Sequence, residues 1–330
     1  MISLDNVSIR YGAIEVVKPL SLEIASGEFF TLLGPSGCGK TTILRAIAGF
    51  VPVAEGRILI ADRDVTDLPA EKRDVGIVFQ NYALFPHMTV RENVAFGLRV
   101  ARRSKAQIAA DVDKILDVTG IAAHGDKKPA ALSGGQQQRV AIARSLVMGT
   151  RVLLFDEPLS NLDAKIRDDM RREIKALQRE LGFTAVFVTH DQEEALSMSD
   201  RLLVFNAGQV EQIGTARQLY ESPATPFVCQ FVGSANLLGP VLSARLGVNG
   251  QGYLRPEHIR IVPNDAPDAL DAQVEDVDYV GPLTRVYLRV AGEAIQLQAF
   301  SSAAIADLAP GQSVSLQIDR DRINLFGVAA

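Results

Sequence analysis

The run Gly34-Pro35-Ser36-Gly37-Cys38-Gly39-Lys40-Thr41 constrains the fold more than any other stretch of the 330 residues. Its glycines let successive backbone N–H groups turn inward, a shape that closes around phosphate oxygens. The apolar run Phe29 to Leu33 precedes it and reads as a buried strand. Thr42 to Ala48 follows as a helix that Gly49 stops. Strand, glycine-rich turn and helix N-terminus in that order make an anion cradle, because the helix dipole adds partial positive charge at the same point. Lys40 is placed to reach the β- and γ-phosphates of a nucleotide and Thr41 to ligate Mg²⁺. Gly34, Pro35, Ser36, Gly37, Cys38, Gly39 and Thr42 complete the expected contact.

The rest of the first part agrees with an α/β fold built on a mainly parallel sheet. Ile2 to Ile9 and Leu20 to Ile24 alternate and read as outer strands. Val75 to Phe79, Val152 to Phe155 and Thr184 to Val188 read as buried ones. Val152 to Phe155 runs into Asp156 and Glu157. Such a sheet binds ligands at the carboxyl ends of its strands, so these acids are expected beside the phosphates. Asp156 suits the Mg²⁺ shell and Glu157 suits polarising the attacking water. Alone, a strand ending in two acids is an ordinary solvated exit; it is the glycine-rich loop that gives the pair its catalytic reading.

Between about residues 89 and 148 strand signals give way to helical patterns, such as Lys105 to Val118 ended by Gly120, which predict an inserted helical subdomain. Leu202 to Phe205 and Gln209 to Ile213 flank Asn206-Ala207-Gly208 and read as a hairpin. Helical pieces continue to about Val232. Beyond Gly233 short strand-like runs spaced by Gly and Pro (Tyr253 to Leu254, Arg260 to Val262, Arg285 to Val290, Ala294 to Gln298, Val314 to Ile318) predict a small all-β, OB-like barrel. The expected domains are therefore 1–235 and 236–330.

A formal net charge of -5 argues against nucleic acid as a partner, which normally needs a strongly basic face. The N-terminal segment lacks the pattern of a secretory signal, and no apolar run approaches the ~20 residues that span a bilayer. The two cysteines (Cys38, Cys229) and four histidines (His87, His124, His190, His258) show no metal-ligand spacing, so no zinc site is expected.

Leu132-Ser133-Gly134-Gly135-Gln136, ahead of a helical run from Gln137 to Met148, resembles the signature of the ATP-binding cassette (ABC) family. By itself it reads equally as a Ser N-cap with a flexible Gly pair. In the family's order, over about residues 1 to 235, the chain is also similar at five other places. Tyr11 matches the adenine-stacking aromatic, residues 34–41 the Walker A loop, Gln80 the Q-loop, Ser160-Asn161-Leu162-Asp163 the D-loop and His190 the switch histidine. The resemblance implies an ATPase using ATP and Mg²⁺. Gln80 would join Thr41 and Asp156 at the metal, and His190 would donate to the γ-phosphate. It further implies a head-to-tail homodimer, in which Leu132 to Gln136 of one copy completes the cage around ATP held by the other.

One motif set without a spanning helix resembles an importer ATPase more than an exporter, a tandem-cassette translation factor or a chromosome-repair ATPase with its long coiled coil. Leu254-Arg255-Pro256-Glu257-His258-Ile259-Arg260 and the strand around Val280 to Val290 are similar to the TOBE domain of importer ATPases. The implied partners are integral membrane permease subunits and, indirectly, a solute-binding protein. The implied location is peripheral, on the cytoplasmic face of the inner membrane. Phe79 to His87 and Val188 to Ala195 look like the group serving polyamines, ferric iron, phosphonates, sulfate and sugars, and a TOBE-like part short for the sugar group leans towards the first three. Sulfate, sugar and non-transport ABC ATPases stay as alternatives. Tyr82, Leu84, Phe85 and Met88 either form a groove for a short permease helix or pack the helical subdomain.

Overall fold

Strand burial separates the sheets of the first part of the chain. Ile14–Ile24 (β2) alternates over its second half and pairs antiparallel with Ile2–Tyr11 (β1), whereas Phe29–Leu33 (β3) is buried at every position, as a strand covered on both faces must be. Glu55–Ile60 (β4) and Arg63–Asp64 (β5) complete an antiparallel sheet in the order β2-β1-β4-β5. The other sheet joins β3 to Val75–Val78 (β6), Val152–Asp156 (β7), Thr184–Thr189 (β8), Arg201–Asn206 (β9) and Gln209–Gly214 (β10). Its order is β10-β9-β3-β8-β7-β6. All of its pairings are parallel except the β9–β10 hairpin, which turns through Ala207 and Gly208, both at positive φ. Because β3, β8, β7 and β6 are consecutive neighbours, their carboxyl ends open along one edge.

The computed structural model describes residues 1–300, 305 and 307–327. Lys40–Ala48 (α1) starts within the glycine-rich turn, as expected, and packs Ile43, Leu44 and Ile47 with Leu32, Leu154 and Val186 of the sheet. Gly49 ends it in the left-handed conformation. Val90–Val100 (α2), Lys105–Val118 (α3) and Gly134–Leu146 (α4) share a separate core of Val94, Leu98, Leu116, Leu132 and Val140. Each opens with a capping box, from Thr89 and Glu92, Ser104 and Gln107, and Ser133 and Gln136, so the sequence itself marks where these helices begin. Ala164–Leu181 (α5) and Gln192–Met198 (α6) complete the first unit. No helix among the described residues is long and apolar enough to cross a membrane.

The chain divides into compact units Met1–Ala216 and Arg217–Ala330, ahead of the 235/236 boundary expected from sequence. Ala216–Glu221 (α7) and Pro226–Phe231 (α8) precede Asn236–Leu237 (β11), Pro240–Leu246 (α9), Gln251–Leu254 (β12), Ile259–Val262 (β13), Leu270–Val280 (β14), Leu283–Val290 (β15), Glu293–Phe300 (β16), Ser313–Ile318 (β17) and Asn324–Phe326 (β18). The strands form sheets β11-β12-β18 and β13-β17-β14-β15-β16 over a core that includes Leu242, Val274, Val286, Leu288 and Leu316. Helix α9 was not anticipated, although Pro240 at its start and left-handed Gly247 at its end are the usual signals.

Arg255 explains the early boundary. Only 2% exposed, it donates to the carbonyls of Tyr220 (3.0 Å), Cys229 (2.9 Å) and Ser234 (3.0 Å), and so ties the α7 and α8 segment to the β-rich unit. Tyr220 lies under the guanidinium and donates to Glu257, and burial with that acceptor pushes its phenol up to about 12. A fragment of residues 1–216 is therefore expected to be soluble, to unfold cooperatively and to bind ATP. A fragment of residues 1–235 would keep Leu219, Val228 and Val232, buried in the full chain, without the β-rich unit to which Arg255 ties their segment, and should aggregate more readily. Thermal unfolding and ATP binding of the two fragments decide the boundary. A folded 1–216 fragment that binds no ATP would place part of the nucleotide site beyond Ala216.

Candidate active site

The loop between β3 and α1 owes its shape to close packing. A Cβ on Gly34 would lie 2.1 Å from the Phe205 carbonyl oxygen, and one on Gly39, at φ 113°, would meet the Val16 carbonyl and the Phe205 ring at 3.1 Å. Side chains are excluded at both positions, so backbone lines the concavity. Lys40 is 4% exposed, and its ammonium donates to the carbonyls of Gly34 (2.8 Å) and Pro35 (2.9 Å). The cation is thereby folded over the loop at the amino end of α1, where the helix dipole also favours an anion. Cys38, buried beneath, has its thiol pKa raised by desolvation against the opposing pull of Lys40. Strand β2 passes the loop at Val16 and Val17, and Tyr11 stands half exposed at the tip of the β1–β2 hairpin, outside the apolar cores.

Next to the loop, the carboxyl ends of β7 and β8 bring the expected acids and histidine together. Thr41 Oγ1 donates to Asp156 Oδ1 at 3.0 Å, and Arg45 lies 3.6 Å from the other oxygen. A hydroxyl and a carboxylate side by side are suitable oxygen donors for a hard cation such as Mg²⁺. Glu157 has φ 46°, rare for a long side chain, and it precedes Pro158. Its N–H donates to the Val188 carbonyl, and its own carbonyl accepts from the Ser160 backbone and hydroxyl. That strained backbone aims the carboxylate at His190, whose Nδ1 lies 3.2 Å from Glu157 Oε2.

Gln80 sits exposed in the turn after β6, and its carbonyl accepts from Asn161 Nδ2 at 3.1 Å. Tyr82 and Ala83 beyond it are both left-handed (φ 59° and 46°), and Arg144 of α4 holds the turn by donating to both of their carbonyls at 3.0 and 2.7 Å. Burial pulls the Arg144 guanidinium below its ordinary pKa. Of the apolar residues in this stretch, Tyr82 is buried with Phe155 and Met198, and Leu84 packs against the helical core. Phe85 is half-buried, packed at a tilt against Phe96 with ring centroids 4.6 Å apart and a ring partly open to solvent.

The segment Leu132 to Gln136 faces other neighbours. Leu132 is buried in the helical core, Cβ positions on Gly134 and Gly135 would crowd Leu162 and Met170, and the Gln136 side chain contacts His124. Asp163 caps α5 by accepting from the Ile166 N–H at 3.0 Å. Arg167, one turn further, donates to the Leu162 carbonyl (3.1 Å) and to Asp191 (3.0 Å), which itself caps α6 directly after His190. Glu194 completes this network. Burial raises its carboxyl pKa, opposed by the Thr189 hydroxyl that donates to it.

Residues 17–160 match the ABC transporter family and residues 253–326 match the TOBE domain. Over 331 residues the chain is 52% identical to an uncharacterized ABC transporter ATP-binding protein of Sinorhizobium fredii, covering 99% of this chain and 95% of that relative. The chain belongs to the ABC transporter ATPases. It is also 45% identical over 308 residues to the spermidine/putrescine import ATP-binding protein PotA of Bacillus cereus, covering 92% and 91% of the two chains. A dimeric ATP-binding cassette, solved in a post-hydrolysis state bound to ADP and Pi, superposes with a TM-score of 0.57 at 34% identity, covering 66% of this chain and 99% of that one.

In this ABC ATPase the glycine-rich loop, Asp156, Glu157 and His190 stand at the carboxyl ends of β3, β7 and β8, while Leu132 to Gln136 stand with the helical subdomain. Sequence reasoning missed Asn161 as the tie to the Q-loop, and it missed Arg144 and Arg167 altogether. Asn161 lies inside the D-loop motif and could have been suspected. The two arginines sit in charged or apolar helices, where nothing local separates a clamp from a solvated side chain.

Proposed function

We propose that the protein is the ATP-hydrolysing subunit of an importer, working as a head-to-tail homodimer on separate permease subunits, with a polyamine as the solute. The observation that carries the dimer reading is the placement of Ser133 to Gln136, whose contacts run to His124, Leu162 and Met170 rather than to the Lys40 loop. In a head-to-tail pair a segment so placed meets the nucleotide of the second copy, and the dimeric post-hydrolysis cassette of similar fold supports a dimer. Polyamine import rests on the PotA relative, whose similarity extends over both units.

In this reading Tyr11 stacks on adenine and the loop from Gly34 to Thr42 wraps the phosphates with Lys40, through every backbone N–H but that of Pro35, which has none. Thr41, Asp156 and Gln80 would hold Mg²⁺, and the metal would supply charge neutralisation for the phosphates. Glu157 accepts a proton from the attacking water, and His190 fixes that carboxylate through Nδ1 at 3.2 Å, beside the γ-phosphate. Ser133 and the first amides of α4 reach the partner's γ-phosphate as hydrogen-bond donors. The exposed rim of Phe85 and Phe96 receives the permease.

Ser133→Arg tests the shared site, because a bulky cation would fill the cage without touching the protein's own loop. ATP binding to the monomer should persist while hydrolysis falls by roughly a hundredfold, the size of effect seen when one donor to a developing charge is removed. Mixed with wild type, the variant should depress the rate per active subunit. Activity strictly proportional to enzyme through wide dilution, together with an active Ser133→Arg, would sink the dimer reading. Reconstituted with its permease, the wild-type protein should drive spermidine uptake that competing sugars leave untouched.

A further inference from the structure

We infer that His124 is a positioning residue for the signature: by accepting a hydrogen bond from the Gln136 side chain it fixes which way that amide points. The inference rests on the proposed two-copy site.

Donor and acceptor accounting at three atoms carries the argument. The Ser133 N–H donates to Gln136 Oε1 at 3.0 Å, so the amide oxygen must face Ser133. The amide nitrogen therefore points the other way, where it lies 3.1 Å from His124 Nε2. An amide nitrogen offers no lone pair, so the imidazole nitrogen is the acceptor and the neutral ring carries its proton on Nδ1. Nδ1 is buried and finds no partner among the described residues. The opposite tautomer would relieve that buried N–H, but it would set two donors against each other at Gln136. With its proton on Nδ1 the ring accepts from the amide nitrogen and so holds the oxygen towards the Ser133 N–H.

The consequence reaches Ser133. The Gln136 backbone N–H donates to Ser133 Oγ at 3.4 Å and so occupies a lone pair of that hydroxyl. The hydroxyl proton is left to point outward as a donor, beside the N–H groups of Gly134 and Gly135, which no helix carbonyl satisfies. An inverted Gln136 amide would oppose the Ser133 N–H with another donor and break the box. The short turn Ala122–His124 that carries the histidine is anchored from α4 by Arg139, which donates to the carbonyls of Thr119 and Gly120 and pairs with Glu173 of α5. A cavity of about 380 Å³ beside His124, Gln136 and Ile166 leaves room for a longer side chain at position 124.

The test compares full-length His124→Gln, which keeps an acceptor, with His124→Lys, which offers only donors. In the lysine variant kcat/KM for ATP should fall about tenfold, the size of a lost helix cap, while the glutamine variant stays within about twofold of wild type. ATP binding to the monomer should be the same in both, which reports an intact nucleotide loop, while the thermal midpoint of the lysine variant should drop by no more than the few degrees that one helix cap is worth. Equal rates in the two variants, whether both high or both low, would overturn the role of His124, as would a lysine variant that no longer binds ATP as a monomer. Ser133→Arg, run alongside, keeps the two ideas apart. An active Ser133→Arg removes the two-copy site, whereas an inactive Ser133→Arg beside a fully active His124→Lys removes only the inference about His124.

Discussion

Glu157→Gln is expected to bind ATP as tightly as wild type and to lose turnover by about two to four orders of magnitude, the usual worth of a positioned general base. The amide keeps the volume of the carboxylate and can still meet His190 Nδ1 through its oxygen, so the 3.2 Å contact survives in form. What disappears is the negative charge that accepts the water's proton. The strained backbone at φ 46° is held by Val188 and Ser160 through main-chain atoms of residue 157, which the substitution leaves in place. Loss of activity would therefore not reflect a displaced loop. With hydrolysis blocked, an ATP-loaded dimer should accumulate and be visible by size-exclusion chromatography. Near-normal single-turnover hydrolysis by the purified variant would remove Glu157 as the base.

Lys40→Ala should act one step earlier, weakening ATP binding by roughly a hundredfold through loss of a charge-assisted contact to phosphate in a partly desolvated loop. Lys40 is buried, and its ammonium links the carbonyls of Gly34 and Pro35, so the alanine variant also unties the loop. Lys40→Met separates the two effects, because it fills the same space without charge. If charge dominates, both variants lose affinity alike; if loop order dominates, the methionine variant binds better. Titration with a fluorescent ATP analogue measures this, and unchanged affinity in both would take the glycine-rich loop out of the nucleotide site. The two substitutions fail at different steps, since Glu157→Gln spares binding and Lys40→Ala does not.

Much of the candidate site could be read from sequence because its signals are local. A buried strand, a glycine turn and a helix start lie within residues 29–48, and Asp156-Glu157 and His190 each close an apolar run of strand length. Backbone sterics and hydrophobic burial act over those few residues, so the pattern fixes the element and the element fixes where its end residues emerge. The capping boxes of α2, α3 and α4 are equally local, as are the hairpin turn at Ala207-Gly208 and the Pro and Gly that bracket α9.

Tertiary structure decided what depends on partners far apart in the chain. Whether Tyr82 packs a core or a groove turned on Phe155 and Met198, and the boundary between the units turned on Arg255 reaching back to Tyr220, Cys229 and Ser234. Arg144 clamping the Tyr82 and Ala83 carbonyls and Arg167 joining Leu162 to Asp191 belong to the same class. So does the Gln136 amide, whose direction is set by a histidine one 3₁₀ turn beyond α3. A guanidinium or an amide has no preferred partner in the chain order, because its hydrogen bonds form with whatever carbonyl or nitrogen the packed elements bring within about 3 Å.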